Sequence, residues 1–336
     1  MESKHETPYF LSQHKGLIES TVADEFLHPP TADTPGDSLT ETQYFGLCIP
    51  EQRIHGLFYC WRHPNLRIVT GGVWIFQGMK LEPLSCELFD WHDFMSDRVL
   101  SDDFRNFKLP NSYSVTVLEP LKRHRLSYSD PSRGNAFNLE YEALAPPASW
   151  AKGLHFDQAM KVRGELSLAG KKYDVNGYNV RDRSWGKLRP EEHNRVPPVV
   201  WMTGVFSDDF FFNCTAFDHP DLDPDWQGLF PDITADRTLM GGWVCKAGET
   251  AEIVTCKKKT RRNRVTLVPE AVEMTLVDAR ERVFVLRGEI VAASTSHVWP
   301  NMRFSLCMTR WTCNGEVGHG DSQEVLFHDY IRAMMK

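Results

Sequence analysis

No stretch of the sequence approaches the ~18 uninterrupted apolar residues of a membrane-spanning helix. The polar start, MESKHETPYFLSQHKG, lacks the apolar centre of a secretory leader. These absences predict a cytoplasmic protein with no membrane partner. The eight cysteines, at 48, 60, 86, 214, 245, 256, 307 and 313, include no C-x-x-C pair and no zinc-finger spacing. A disulfide framework and a structural metal are thereby excluded as organising devices, and the cysteines read as small buried hydrophobes. Basic charge is also in short supply. Lys and Arg number 38 against 45 Asp and Glu, a formal charge of −7, so nothing draws the chain to nucleic acid. A glycine-rich phosphate loop, a G-x-S-x-G elbow, a Rossmann fingerprint and an H-E-x-x-H pair are all missing, which predicts neither an organic cofactor nor a metal. Long amphipathic helices are missing too, and a parallel α/β sheet goes with them.

What remains is strand. The 336 residues are 41% hydrophobic and 12% aromatic, enough for two domains or one large all-β unit. Residues 1–40, polar and carrying Pro29, Pro30, Pro35 and Gly36, read as an N-terminal arm. RIHGLFYCWR, LRIVTGGVWIF, YSVTVLEP, HRLSYSD and FNLEYEA are short, rich in β-branched and aromatic residues and punctuated by turn formers. They predict one antiparallel unit over 41–160, joined near Pro146 and Pro147 to a second over 161–336. The fold class is therefore all-β, two consecutive antiparallel barrels or sandwiches. An eight-stranded barrel leaves room inside for about one small ligand, so a hydrophobic small molecule is the expected partner, with a homodimer possible.

The stretch LHFDQAMKVRGELSLAGKKYDVNGYNVRDRSWGKLRP (154–190) resembles the signature of the AttH-like and carotenoid-hydratase (hydroxyneurosporene synthase) superfamily. That signature runs from H-x-[DE]-Q through G-x-L-x-x-x-G-x-x-Y-x-V-x-G to R-D-H-S-W-G-x-R. TETQYFGLCIPEQRIHGLFYCWRHPNLRIVTGGVWIFQG (40–78) is similar to the first-domain signature of bacterial relatives. The resemblance implies two consecutive lipocalin-like β-domains, and proteins that hydrate, cyclise or rearrange hydrophobic molecules without an organic cofactor. Where the superfamily usually has His after Asp182, this chain has Arg183, so a proton-transfer role for that His does not carry over.

Within YNVRDRSWG, Tyr178, Val180 and Asp182 share one strand face while Asn179 and Arg181 share the other. Asp182 in an apolar cavity is a candidate general acid or base. The other reading is a structural anchor, in which Asp182 accepts hydrogen bonds from the backbone and Arg181 and locks the interface of the two domains. Tyr178 and His155 join it as acid/base candidates, and Arg181 would hold a developing anion. Trp185, His55, Tyr59, Trp61, Trp74, Trp201, Trp243 and His297 are the expected substrate contacts, since aromatics on alternate strand positions supply apolar area and an orienting N–H or O–H. The chemistry expected is a cofactor-independent lyase, adding or eliminating water or cleaving C–O or C–C bonds in an aromatic or isoprenoid metabolite. The alternatives are a shape-driven isomerase or cyclase and a non-catalytic carrier of hydrophobic ligands.

Overall fold

The computed structural model describes residues 16–29, 39–100, 102–150, 153–188, 197–223, 228–231, 233–299 and 302–334. All the strands pair antiparallel, in two bodies. The first contains β1 (Ile18–Glu19), β2 (Leu39–Ile49), β3 (Ile54–His63), β4 (Ile68–Gln77), β5 (Leu88–Ser96), β6 (Asn106–Lys108), β7 (Ser114–Glu119), β8 (Arg123–Asp130), β9 (Asn135–Ala143), β10 (Ala148–Trp150), β11 (His155–Leu168) and β12 (Lys171–Leu188). They form one curled sheet in the order β5-β4-β3-β2-β12-β11-β9-β8-β7-β6, with β10 beside β11 and β1 beside β10. The second contains β13 (Val199–Ser207), β14 (Phe210–Phe217), β15 (Leu239–Lys246), β16 (Glu249–Arg262), β17 (Pro269–Asp278), β18 (Val283–Trp299), β19 (Met302–Cys313) and β20 (Glu316–Phe327), and closes as a barrel of eight. A short helix, α1 (His328–Met334), follows. The all-β expectation with two barrel-like units holds.

The two bodies divide between β12 and β13 rather than at 160. β11 and β12 form a long hairpin turned at Ala169 and Gly170, whose positive φ values of 49° and 80° suit a two-residue primed turn. β12 then inserts between β11 and β2, so residues 161–188 complete the first sheet. Pro146 and Pro147 lie in the loop that joins β9 to the short β10 of that same sheet. Alternation shows that a segment is a strand, but its neighbour is chosen by contacts far along the chain, and residue 160 carries no mark of the change.

The concave side of the sheet is filled by Phe45, Phe58, Val73, Leu126, Leu139 and Val162 among others. The barrel interior is filled as well, by Met202, Phe212, Val244, Leu276, Leu286 and Trp311. The space left among Phe210, Phe212, Val244, Leu276, Phe284 and Leu286 does not admit a water molecule. The small-ligand cavity expected inside the barrel is therefore closed by side chains. Two of the six cations in the basic run KKKTRRNR (257–264) turn inward. Lys257, Lys259 and Arg261 face solvent, whereas Lys258 and Arg262 enter the barrel and meet Asp218 at 2.6 Å each, Arg262 also reaching Glu324 at 2.7 Å.

The convex face of the sheet packs on the outside of the barrel. Leu57, Trp74 and Phe76 meet Ala292, Leu306 and Met308, and Ala159 and Val180 meet Val205, Phe211 and Trp243. This seam positions the candidate site.

Candidate active site

Asp182 lies in a row of residues that crosses six strands on the convex face. Asp157, Asp182, Tyr44, Tyr59, Gly72 and Trp91 are successive cross-strand partners on β11, β12, β2, β3, β4 and β5. Asp182, Tyr59 and Trp91 are partly exposed, as is Trp201 on the facing barrel, whereas Asp157 and Tyr44 are buried. The row thus runs along the seam between sheet and barrel, and its partly exposed side chains form the open edge of that seam, the cleft. Tyr59 stacks on Trp91 at 6.2 Å and Tyr44 meets Trp201 edge-on at 5.5 Å.

His155 precedes Asp157 by two residues on β11 and shares its face. Its Nε2 lies 3.0 Å from Asp157 Oδ1 and its ring packs 4.7 Å from Trp150. Trp150 Nε1 donates to Asp157 Oδ2 at 2.6 Å, and Trp201 Nε1 donates to Oδ1 at 2.9 Å. The buried Asp157 carboxylate therefore fixes one indole from the sheet and one from the barrel. One ligand atom each from His155, Asp157 and Asp182 lies within 4.8 Å of the others. These are the residues that could hold a metal ion. Their spacing hides them, because two alternate along one strand and the third comes from its neighbour. Each Asp157 oxygen accepts one indole N–H and keeps a further lone pair, so the trio is suited to passing a proton and also offers three ligand atoms to a metal.

Beneath the cleft, Tyr44 donates its hydroxyl to Asp321 Oδ1 at 2.8 Å. The phenol lies across Gly46, where a Cβ would sit 2.3 Å from the hydroxyl oxygen. Asp321 also accepts from Thr203 Oγ1 at 3.2 Å and lies 2.9 Å from His55 Nε2. Burial opposes the charged imidazolium, but the Cys48 sulfur and the Asp321 carboxylate overcome it and push the His55 pKa up to about 10.

Arg181 points the other way from Asp182, into the concave side. It donates to Glu25 Oε1 at 2.8 Å and Oε2 at 2.9 Å, and to Gln158 at 2.8 Å. Burial works against the Glu25 carboxylate, yet Arg181 and His124 hold its pKa well below the usual range. Arg183 donates to Glu41 Oε1 and to the Phe26 carbonyl, each at 2.8 Å. Trp185 stacks on His28 at 4.2 Å. These three residues of RDRSWG grip the arm segment 25–28 and do not reach the cleft, so Arg181 is already committed and cannot hold a developing anion there.

The other expected residues separate in the same way. Tyr178 shares Asp182's face but donates to Asp208 at 2.7 Å at the outer end of the sheet. His55 and Trp243 are buried in the seam, and Trp74 donates to Cys86 Sγ at 3.2 Å. Trp61 is buried beside His63, and His297 is exposed, 5.9 Å from His328. Asp182, His155, Tyr59 and Trp201 are the expected residues brought to the cleft. Asp157, Tyr44, Trp91 and Trp150 were not anticipated. Asp157 was findable, since it alternates with His155 in HFDQ, whereas Trp91 and Trp150 follow only from strand order.

A family model described as a domain of unknown function, DUF7064, matches residues 21–328. The chain belongs to this family. No curated protein sequence matches this DUF7064 chain. Among solved structures it is similar to a protein assigned as AttH from Nitrosomonas europaea, with TM-score 0.58 and 11% identity, over 89% of this chain and 99% of that one. It is similar to CghA, with TM-score 0.53 and 10% identity, over 96% and 97%. It is also similar to kievitone hydratase from Nectria haematococca, with TM-score 0.50 and 12% identity, over 92% and 95%. At these identities the likeness establishes the fold alone, and the DUF7064 chain has the AttH-like two-unit β fold that the resemblance around RDRSWG implied.

Proposed function

We propose that this protein is a lyase of the hydratase type, acting by proton transfer on a carbon–carbon double bond of an apolar aromatic or isoprenoid metabolite bound between sheet and barrel. The observation that carries this reading is a partly exposed carboxyl group, Asp182, set between His155–Asp157 and the aromatic wall of Tyr44, Tyr59, Trp91 and Trp201. In hydration, the Asp182 carboxyl gives its proton to one alkene carbon. The cation left on the other carbon faces the π-clouds of the wall. Water adds to it and loses a proton to the Asp182 carboxylate, which restores the acid. Elimination is the same path reversed. The Asp157–Trp150–Trp201 hydrogen bonds hold the wall in place, and no step draws on an organic cofactor. The name of kievitone hydratase, which shares the fold, is consistent with this class of reaction.

An ionisable group inside an aromatic cleft is what separates this reading from a carrier, which needs apolar surface alone. The test is turnover of a panel of isoprenoid alkenes and prenylated phenols in H₂¹⁸O, followed by mass spectrometry. Wild type should yield ¹⁸O-labelled hydrated products, and Asp182→Asn should lose roughly 10²–10⁴-fold of that rate while melting at the wild-type temperature. Full activity in Asp182→Asn would sink the proposal, and isomerised products free of ¹⁸O would favour a cyclase.

A further inference from the structure

The barrel wall buried in the seam, inward of the cleft, carries polar side chains that the acid–base chemistry leaves unused. On the outer face of β13–β15 and β20, Gly241, Thr215, Trp201 and Gln323 form one cross-strand row, and Trp243, Asn213 and Thr203 form the next. Trp201 is bonded to Asp157, and Thr203 to Asp321. The rest are not satisfied. Among the described residues, Asn213 Nδ2 and Oδ1, Thr215 Oγ1, Trp243 Nε1 and Gln323 Nε2 are buried without a hydrogen-bond partner. Asn213 is 0% exposed, Trp243 2% and Thr215 5%. Five orphaned atoms on neighbouring positions are unusual, because leaving each one dry costs as much as a lost hydrogen bond.

Their place links them to the site. Thr215 stands between Trp201 and Gly241, and the Trp150 ring occupies the position where a Gly241 Cβ would be, at 2.5 Å. Trp150 and Trp201 are the two indoles that grip Asp157. Thr215 therefore lies under Asp157, and Asn213 is the next residue along that face. Three of the five atoms belong to N–H groups, two to amides and one to an indole, and none of these residues carries charge.

From this we infer that the Asn213–Thr215–Trp243–Gln323 patch is a recognition subsite for a neutral oxygen function of the substrate, a carbonyl or hydroxyl, and not for a carboxylate or phosphate. This deepens the lyase reading and rests on it, because it takes the cleft as the substrate site. It narrows the substrate to an apolar body with an uncharged oxygen at one end, which the patch anchors so that the double bond comes to Asp182.

The test uses full-length protein and two probe pairs, farnesol with farnesene and 2-naphthol with naphthalene, titrated by calorimetry. Wild type should bind the oxygenated member of at least one pair roughly 10-fold or more tightly. Asn213→Leu should abolish that preference and melt at or above the wild-type temperature, since an apolar residue of similar size removes unpaired buried polar atoms. Trp243→Phe keeps an aromatic ring but deletes the pyrrole half of the indole with its N–H, and should narrow the preference while the protein still folds. A wild type that binds no probe, or binds both members alike, overturns the subsite. So does an Asn213→Leu variant that unfolds while Trp243→Phe keeps the full preference, because the patch would then hold only structural water. Asp182→Asn separates the two proposals. It should keep the oxygen preference, and normal turnover with that preference intact would sink the lyase and leave the subsite standing.

Discussion

Two adjacent residues, Arg181 and Asp182, do different work because a strand sends neighbours to opposite faces. The RDRSWG motif makes both legible as functional, but not which of them meets substrate. Arg181 and Glu25 form a fully buried pair, and removing one partner of such a pair costs about 3–5 kcal/mol. Arg181→Met should show that loss in urea denaturation, while the folded fraction keeps its turnover; a large fall in kcat at unchanged stability would return Arg181 to the chemistry. Trp201→Phe keeps an aromatic ring but deletes the pyrrole half of the indole and with it the hydrogen bond to Asp157. A bond to a charged group is worth about 1.5–3 kcal/mol, so turnover should drop by roughly 10-fold or more. A wild-type rate would show that the Asp157–Trp201 contact does not organise the cleft. His155, Asp157 and Asp182 also make a chelator experiment decisive. EDTA should leave turnover unchanged, and a loss reversed by one divalent ion would hand the trio to a metal.

Single strands were readable from alternation and β-branched content, and most elements from 53 to 143 correspond to segments visible in the chain. Their neighbours were not readable. β12 follows β11 in sequence, yet its other edge belongs to β2, more than a hundred residues earlier, and this pairing moves the boundary between the two bodies. β16 shows a second limit. Nothing in its basic run marks one cation from the next, yet Lys258 and Arg262 enter the barrel because Asp218 and Glu324 receive them. Burial raises the Asp218 pKa, while Arg262 and Lys258 lower it further, to about 2. A depressed carboxylate stabilises the fold fully above its unfolded pKa near 4, and loses that contribution as pH falls through 2. The linkage amounts to about 2 kcal/mol. Melting temperature should therefore fall between pH 4 and 2 more steeply in wild type than in Asp218→Asn, and parallel curves would refute the assignment.

At the scale of the molecule, the seam between sheet and barrel is polar as well as apolar, with His55 and Asp321 joined at its centre. His55 has a folded pKa raised to about 10, against about 6.5 when unfolded. Its contribution is complete below 6.5 and is lost as pH rises through 10. The melting temperature of wild type should fall across that window as pH rises, and His55→Gln should flatten the dependence. The same slope in both proteins would place the titrating group elsewhere. The two-body organisation was legible in the strand count and the superfamily resemblance. The cleft was not, because its walls come from β2, β3, β5, β10, β11, β12 and β13, and only the tertiary arrangement makes them neighbours.

The insertion of β12 between β11 and β2 bears on how the chain is made. During synthesis β2 and β3 emerge early as a hairpin, but β2's other edge must wait until the residues of β12 have left the ribosome. Glu25 likewise waits for Arg181, 156 residues later. The barrel, by contrast, is built from consecutive hairpins and needs one distant pairing, β13 with β20, to close. Contacts so far apart in sequence close slowly, and an unpaired strand edge meanwhile invites association with other chains. Nascent chains stalled after about residue 150 should thus be readily cleaved by protease and prone to aggregate, whereas chains extended far enough to expose residue 188 should become protected over β2 and the arm together.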